Sequence, residues 1–223
     1  MKLLVIGSTG RTGSHVVEQA LQRGHAVTAF TRRPQLLRGR AGLAAIAVGD
    51  ALNAADLQCA VQGQEAVISI VSSPDLRPTT LLSTTTRNLV TVMQAAGVRR
   101  LVVTSSRSIR ATRPRLAVRL AWLIFGNAYK DLARAEELVR ASGLEWSIVR
   151  ATMLTDRPST GRVHTDEAVN ATGGDWQLSR ADYAMTLLDV VENPELIGRA
   201  IGVNGYKAER RQQSAAHSEE QVR

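Results

Sequence analysis

The apolar residues of the chain fall into two rhythms that alternate from the first positions onward. Short runs rich in Val, Ile and Leu read as strands: Leu3–Ile6, His25–Thr31, Ala44–Val48, Ala66–Val71, Arg100–Thr104 and Glu145–Arg150. Between them lie stretches with apolar residues three and four apart, which read as helices. Val16, Val17, Ala20 and Leu21 mark one over Ser14–Arg23, and Leu132, Ala135, Leu138 and Val139 mark another over Tyr129–Ser142. Two more are expected at Asn53–Val61, with Asn53 as its cap, and at Thr79–Ala96. Gly24, Gly97 and Gly143 stand where a helix is ended by a left-handed residue. The run Ala66–Val71 is apolar almost throughout, as a parallel strand covered on both faces must be. Strand and helix in alternation predict an α/β fold, doubly wound, with a mainly parallel sheet and helices on both faces.

Beyond Arg150 the rhythm softens. Asp156, Pro158, Gly161, Gly173 and Gly174 mark loops, Ser179 caps a further helix, and Ile201–Val203 is a last short strand. One domain is expected over residues 1–206, with 155–205 forming a small substrate-side region. Residues 207–223 are polar and aperiodic and are expected to be a disordered tail.

Chemistry enters at the junction of the first strand and first helix. Gly7-Ser8-Thr9-Gly10-Arg11-Thr12-Gly13 has the spacing G-x-x-G-x-x-G, a variant of the dinucleotide-binding fingerprint of Rossmann-type folds. Gly7 permits a sharp turn, Gly10 lets backbone amides approach a pyrophosphate, and Gly13 lets the helix pack closely on the sheet. The helix N-terminus then offers its free N–H groups to the anion. About twenty residues further on, a free ribose 2′-hydroxyl calls for an Asp or Glu. This chain has Arg32 and Arg33 there, which suit a 2′-phosphate and so favour NADP(H) over NAD(H). In such a sheet the ligand lies beyond the C-terminal strand ends. The expected cofactor path therefore includes Gly7, Thr9, Gly10, Arg11, Thr12 and Gly13, then Arg32, Arg33, Asp50 and Ala51, and then Val71, Ser72, Ser73 and Thr104.

Composition narrows the class. A length of 223 residues suffices for one substantial core, and 44% hydrophobic content is ordinary for a globular protein. No apolar run is long enough to span a bilayer, and the first residues enter a strand rather than an export signal. With Cys59 alone there is no internal disulfide, so a cytoplasmic location is the expectation, with no membrane partner. The net charge of +8 comes almost wholly from scattered arginines. Few aromatics accompany them and no nucleic-acid module is present, so specific nucleic-acid binding is not expected. His164 has no ligand set around it beyond Asp166 and Glu167, reads as an exposed loop residue, and implies no metal site.

GSTGRTG, the arginine at the second strand end, VGDALNAADL, the VVTSS strand end and EELVRASGLEWSIVRA together resemble the atypical short-chain dehydrogenase/reductase superfamily. Within it the likeness is to the NmrA-like, NAD(P)H-binding branch that includes biliverdin-IXβ reductase, also called flavin reductase. GDALNAADL and SPDLRPTT carry the likeness to that subgroup, and the resemblance covers residues 1 to about 203. It implies an active-site serine at Ser105 or Ser106, as the catalytic candidates. It also implies a segment passing over the nicotinamide at Thr152 and Met153. The superfamily's usual proton donor is a Tyr with a Lys four residues later, but Tyr129, Tyr183 and Tyr206 are followed at that spacing by Ala133, Leu187 and Arg210. The resemblance then implies either hydride transfer to a small conjugated acceptor, with solvent as proton source, or a non-catalytic NADP(H)-sensing regulator. The acceptor would be a flavin-, quinone- or biliverdin-like molecule, and the protein a monomer or homodimer. Residues 107–125 read as an insertion before the next helix, either a lid with Trp122 and Phe125 as a stacking wall or an amphipathic helix on the sheet or at a dimer contact. Glu136 and Arg140 read as an exposed pair one helical turn apart.

Overall fold

The computed structural model describes residues 1–72, 77–113 and 115–207. Its strands are β1 (Lys2–Ile6), β2 (Ala26–Thr31), β3 (Ala45–Val48), β4 (Ala66–Ser69), β5 (Arg100–Ser106), β6 (Glu145–Ala151), β7 (Met153–Thr155), β8 (Val163–Asp166), β9 (Gln177–Ser179) and β10 (Arg199–Gly205). Its helices are α1 (Arg11–Gln22), α2 (Ala54–Val61), α3 (Leu81–Ala96), α4 (Arg115–Arg140) and α5 (Arg180–Glu192). Eight strands form one sheet in the order β3-β2-β1-β4-β5-β6-β10-β8, parallel except for β8 at the edge. The first six follow the Rossmann order, whose reversal beside β1 opens a crevice at the strand ends.

Both faces of the central strands are dry because consecutive residues are apolar. Leu3 and Val5 join a core with Val16, Val17 and Ala20 of α1 and with Tyr183, Leu187 and Val191 of α5. Leu4 and Ile6 point the other way, into Leu57 of α2, Leu89 and Met93 of α3, and Val139 of α4. Fully burying side chains of this size contributes about 2 kcal/mol each, so the sheet is fixed from both sides. Asn53 caps α2 by accepting from the Ala55 amide, and Ser179 caps α5 by accepting from the Ala181 amide.

Three expectations need correction. The helix expected from Tyr129 starts earlier: the insertion takes the helical of its two readings, and α4 runs unbroken from Arg115 to Arg140. Nothing from Arg115 onward breaks a helix except Gly126, whose cost of about 1 kcal/mol is tolerable within a long one. The Trp122 indole also anchors this half by donating to the Ser108 carbonyl at 3.1 Å. His164 lies on a strand, β8, because its backbone pairs with Asn204 of β10, a non-local partner that periodicity cannot reveal. The helix expected from Ser14 begins at Arg11, so the glycine loop itself supplies its first turn. The tail expected over residues 207–223 lies outside the described residues, apart from Lys207, as does Ser73.

Candidate functional site

The glycine loop turns where β1 ends, and backbone contacts dictate its composition. Gly7 has φ +83°, and a Cβ there would stand 2.5 Å from the Ile70 carbonyl oxygen. A Cβ on Gly13 would lie 2.1 Å from the Gly7 carbonyl oxygen, so the helix can seat itself this closely only with glycine. Gly10 donates to the Gly7 carbonyl at 3.0 Å, and α1 starts without any side-chain cap, leaving its first amides open to an anion. Ser8 donates to the Phe30 carbonyl at 2.9 Å, and the Thr9 and Thr31 hydroxyls meet at 3.0 Å. These bonds hold the loop against the end of β2, where Arg32 and Arg33 project.

A cleft of about 220 Å³ opens beside this turn, lined by Gly7, Thr9, Gly10, Arg32, Arg33, Asp50, Ala51, Val71 and Ser72. Asp56 accepts from the Asp50 amide at 2.9 Å and so fixes the β3 end. Arg32 reaches Asp50 at 3.6 Å, but both are well exposed, so the pair is weak and leaves Arg32 available to a ligand phosphate.

A second cleft, of about 380 Å³, shares Gly10, Ile70, Val71 and Ser72 with the first and continues it past β4 and β5. Arg11, Thr12 and Gly13 line it from the start of α1, and Thr104 and Ser105 from β5. Ala128, Tyr129 and Leu132 close it from α4, and Arg180 and Tyr183 from α5. The cofactor candidates from Gly7 to Thr104 that the structure describes thus fall along one groove. Three site candidates fall off it. Ser106 caps the turn at residues 107–109 by accepting from the Ser108 amide at 3.3 Å. Thr152 is buried, its amide donating to the Val203 carbonyl, and Met153 is exposed on β7.

The groups behind Ser105 could not be assembled from spacing. Its hydroxyl donates to Glu136 Oε1 at 2.7 Å, and Glu136 is 2% exposed. Arg150 clamps the same carboxylate with Nε at 2.9 Å and Nη2 at 2.7 Å, while Arg140 adds a donor at 2.8 Å. Glu136 and Arg140 are therefore not the surface pair expected, because Glu136 sits on the apolar stripe of α4 facing β5 and β6. Burial alone would raise the Glu136 carboxyl, yet the Arg150 and Ser105 hydrogen bonds outweigh it and hold the group below its usual range. With its hydrogen given to this carboxylate, Ser105 presents lone pairs to the cleft and acts there as an acceptor.

Tyr183 is ruled out as an acid, since burial pushes its phenol well up and it donates to the Val149 carbonyl at 2.7 Å. Tyr129 lines this cleft and packs against Trp122, edge-on at 5.4 Å, and Phe125 at 5.9 Å, an aromatic cluster beside it on α4. Across from it, Asp156 holds Arg180 at 2.6 Å and Arg11 at 3.4 Å, bringing two guanidinium groups to the other rim.

The profile described as NAD(P)H-binding matches residues 7–194. An uncharacterized chloroplastic protein of Arabidopsis thaliana is 29% identical over 183 residues, covering 73% of this chain and 62% of that protein. The chain spans between 30% and 62% of the length of the curated relatives it matches. Among solved structures, a Rossmann-fold NAD(P)-binding family protein from Shigella flexneri superposes with a TM-score of 0.72 at 26% identity, covering 94% of this chain and 96% of that one. ChuY, an anaerobillin reductase from Escherichia coli, superposes with a TM-score of 0.80 at 22% identity, covering 94% of this chain and 99% of that one. The shared fold is the Rossmann fold of NAD(P)-binding proteins.

Proposed function

Since the chain belongs to the NAD(P)H-binding family, we propose that it is an NADPH-dependent reductase of a small conjugated acceptor, flavin-, quinone- or biliverdin-like, that takes its proton from solvent. The observation that carries this reading is the continuous groove, which runs from a glycine turn with two arginines on its rim to a cleft that Tyr129 lines. The cradle fits a dinucleotide: Cβ atoms at Gly7 and Gly13 would collide with backbone, and the open α1 amides suit a pyrophosphate. Arg32 and Arg33 would take a 2′-phosphate, which supports NADPH over NADH. Asp50 would accept from a base or ribose donor at the same end.

When bound, the dinucleotide supplies a hydride; the protein's part is to orient it and the acceptor and to keep water from the transfer path. Ser105 would accept from an N–H or O–H of either, held in one rotamer by Glu136. Tyr129, backed by Trp122 and Phe125, suits a planar acceptor, and Arg11 and Arg180 suit its acidic substituents. Tyr129 faces the cleft from α4 with Ala133, not a lysine, four residues on, which supports an acceptor protonated without a Tyr/Lys pair. An acceptor that gains a hydride in this cleft would therefore be protonated by water.

Mixing the purified protein with NADPH and a panel of flavins, quinones and linear tetrapyrroles, and following the loss of reduced-nicotinamide absorbance, tests this reading. Acceptor-dependent oxidation is expected with at least one class. Tight NADPH binding with every acceptor left unreduced would reject the reductase and favour the redox-sensing regulator.

A further inference from the structure

The N-terminal half of α4 carries more apolar surface than the structure covers. At 100° per residue, Trp122, Phe125 and Tyr129 cluster on one side, while Leu116, Leu120, Leu123 and Ile124 fall on the far side. Those four are 82%, 57%, 83% and 46% exposed, a continuous stripe rather than the scattered apolar residues of an ordinary surface. Arg115, Arg119 and Lys130, all exposed, run along one border of it. From residue 76 to residue 130 the sequence has no Asp or Glu, so neither α3, which packs beside α4, nor the loops between them supply a compensating charge.

We propose that this face of α4 docks on an anionic lipid bilayer surface, lying in the interface and not crossing it. An apolar stripe bordered by Arg and Lys is the pattern of an interfacial helix, whose affinity combines buried apolar area with attraction to anionic headgroups. No helix among the described residues is long and apolar enough to cross a membrane. A second copy of this chain on the same face would bring both sets of Arg115, Arg119 and Lys130 to one seam without an acidic partner, a like-charge arrangement that opposes pairing. The inference departs from the expectation of no membrane contact, which rested on the lack of a spanning segment.

Vesicle sedimentation of the full chain tests the docking without any appeal to turnover. Binding is expected to vesicles of phosphatidylglycerol and phosphatidylcholine in equal parts, weakened by salt, and not to phosphatidylcholine alone. Leu120→Glu with Leu123→Glu, and separately Arg115→Gln with Arg119→Gln, should each cut the bound partition by roughly tenfold or more. Melting temperatures close to wild type keep these variants interpretable even if no nicotinamide cofactor binds. Failure of the wild type to sediment with the anionic vesicles overturns the proposal, as does unchanged binding by the Leu variant. So does a wild-type dimer in light scattering that the Leu variant dissociates, since the face would then belong to a second copy.

Discussion

The two ends of the groove are built in different ways. At the dinucleotide end, backbone does the shaping: seven consecutive residues, a positive φ at Gly7, and carbonyls that leave no space for a Cβ at Gly7 or Gly13. At the proposed acceptor end, side chains from three separate elements do it, with Ser105 of β5, Glu136 of α4 and Arg150 of β6 joined in one buried network. The first kind of site depends above all on its glycines, with the Ser8 and Thr9 hydroxyls holding the loop to β2. The second depends on every member, because a buried charge left without its partner is costly.

Glu136→Ala sets the sharpest break between the ends. It would leave Arg150 buried opposite nothing and free the Ser105 hydroxyl, at a cost of about 3–5 kcal/mol. A large drop in melting temperature is expected, and a loss below about 1 kcal/mol would show that water replaces the carboxylate at little cost. Gly13→Ala strikes the other end. The added methyl must displace the Gly7 backbone, at about 1–3 kcal/mol, with NADPH binding lost in calorimetry even in molecules that stay folded. Retained NADPH affinity in that variant would remove the glycine loop from the cofactor site.

The same contrast explains what could be read from the chain. Alternation of apolar runs revealed the central strands and α1 to α3, since each signal lies within a few residues of itself. The glycine spacing and Arg32 were legible for the same reason, being local. β8 and β9 were not, because strands of four and three residues exist only through pairing partners elsewhere in the sequence. The Ser105–Glu136–Arg150 network spans 31 and 14 residues of sequence, and spacing alone made Glu136 half of a surface pair. One clue was present. Glu136 sits among Leu132, Ala135 and Val139 on a single face of the helix, and a carboxylate on an apolar stripe calls for a buried cation.

Smaller effects probe how far each end acts alone. Arg32→Glu replaces an exposed guanidinium that has only a long contact to Asp50, so the fold should be unmoved. The expected loss is roughly tenfold to hundredfold in NADPH affinity, the worth of a charge-assisted hydrogen bond, with little change for NADH. Equal weakening of both cofactors in paired titrations would place the 2′-phosphate elsewhere in the groove.

The smallest effect is a pH dependence to which Glu136, at the proposed acceptor end, contributes. The Glu136 carboxyl is held low in the fold against an unfolded value of about 4.3, so below that value the unfolded chain binds the extra proton. The stabilisation is thus fully present above the unfolded value and lost as pH falls through the folded one. Asp166 behaves in the same direction, because hydrogen bonds from Arg107 and Thr172 outweigh its burial. Glu136→Gln removes one of the two contributions while keeping the shape of the side chain. Its melting temperature should lie below wild type from about pH 6 upward, and the gap should narrow on acidification from about pH 5 to about pH 3. Because the wild type alone loses the Glu136 charge there, parallel curves over that range would mean that the carboxylate's charge contributes nothing and that its geometry is enough.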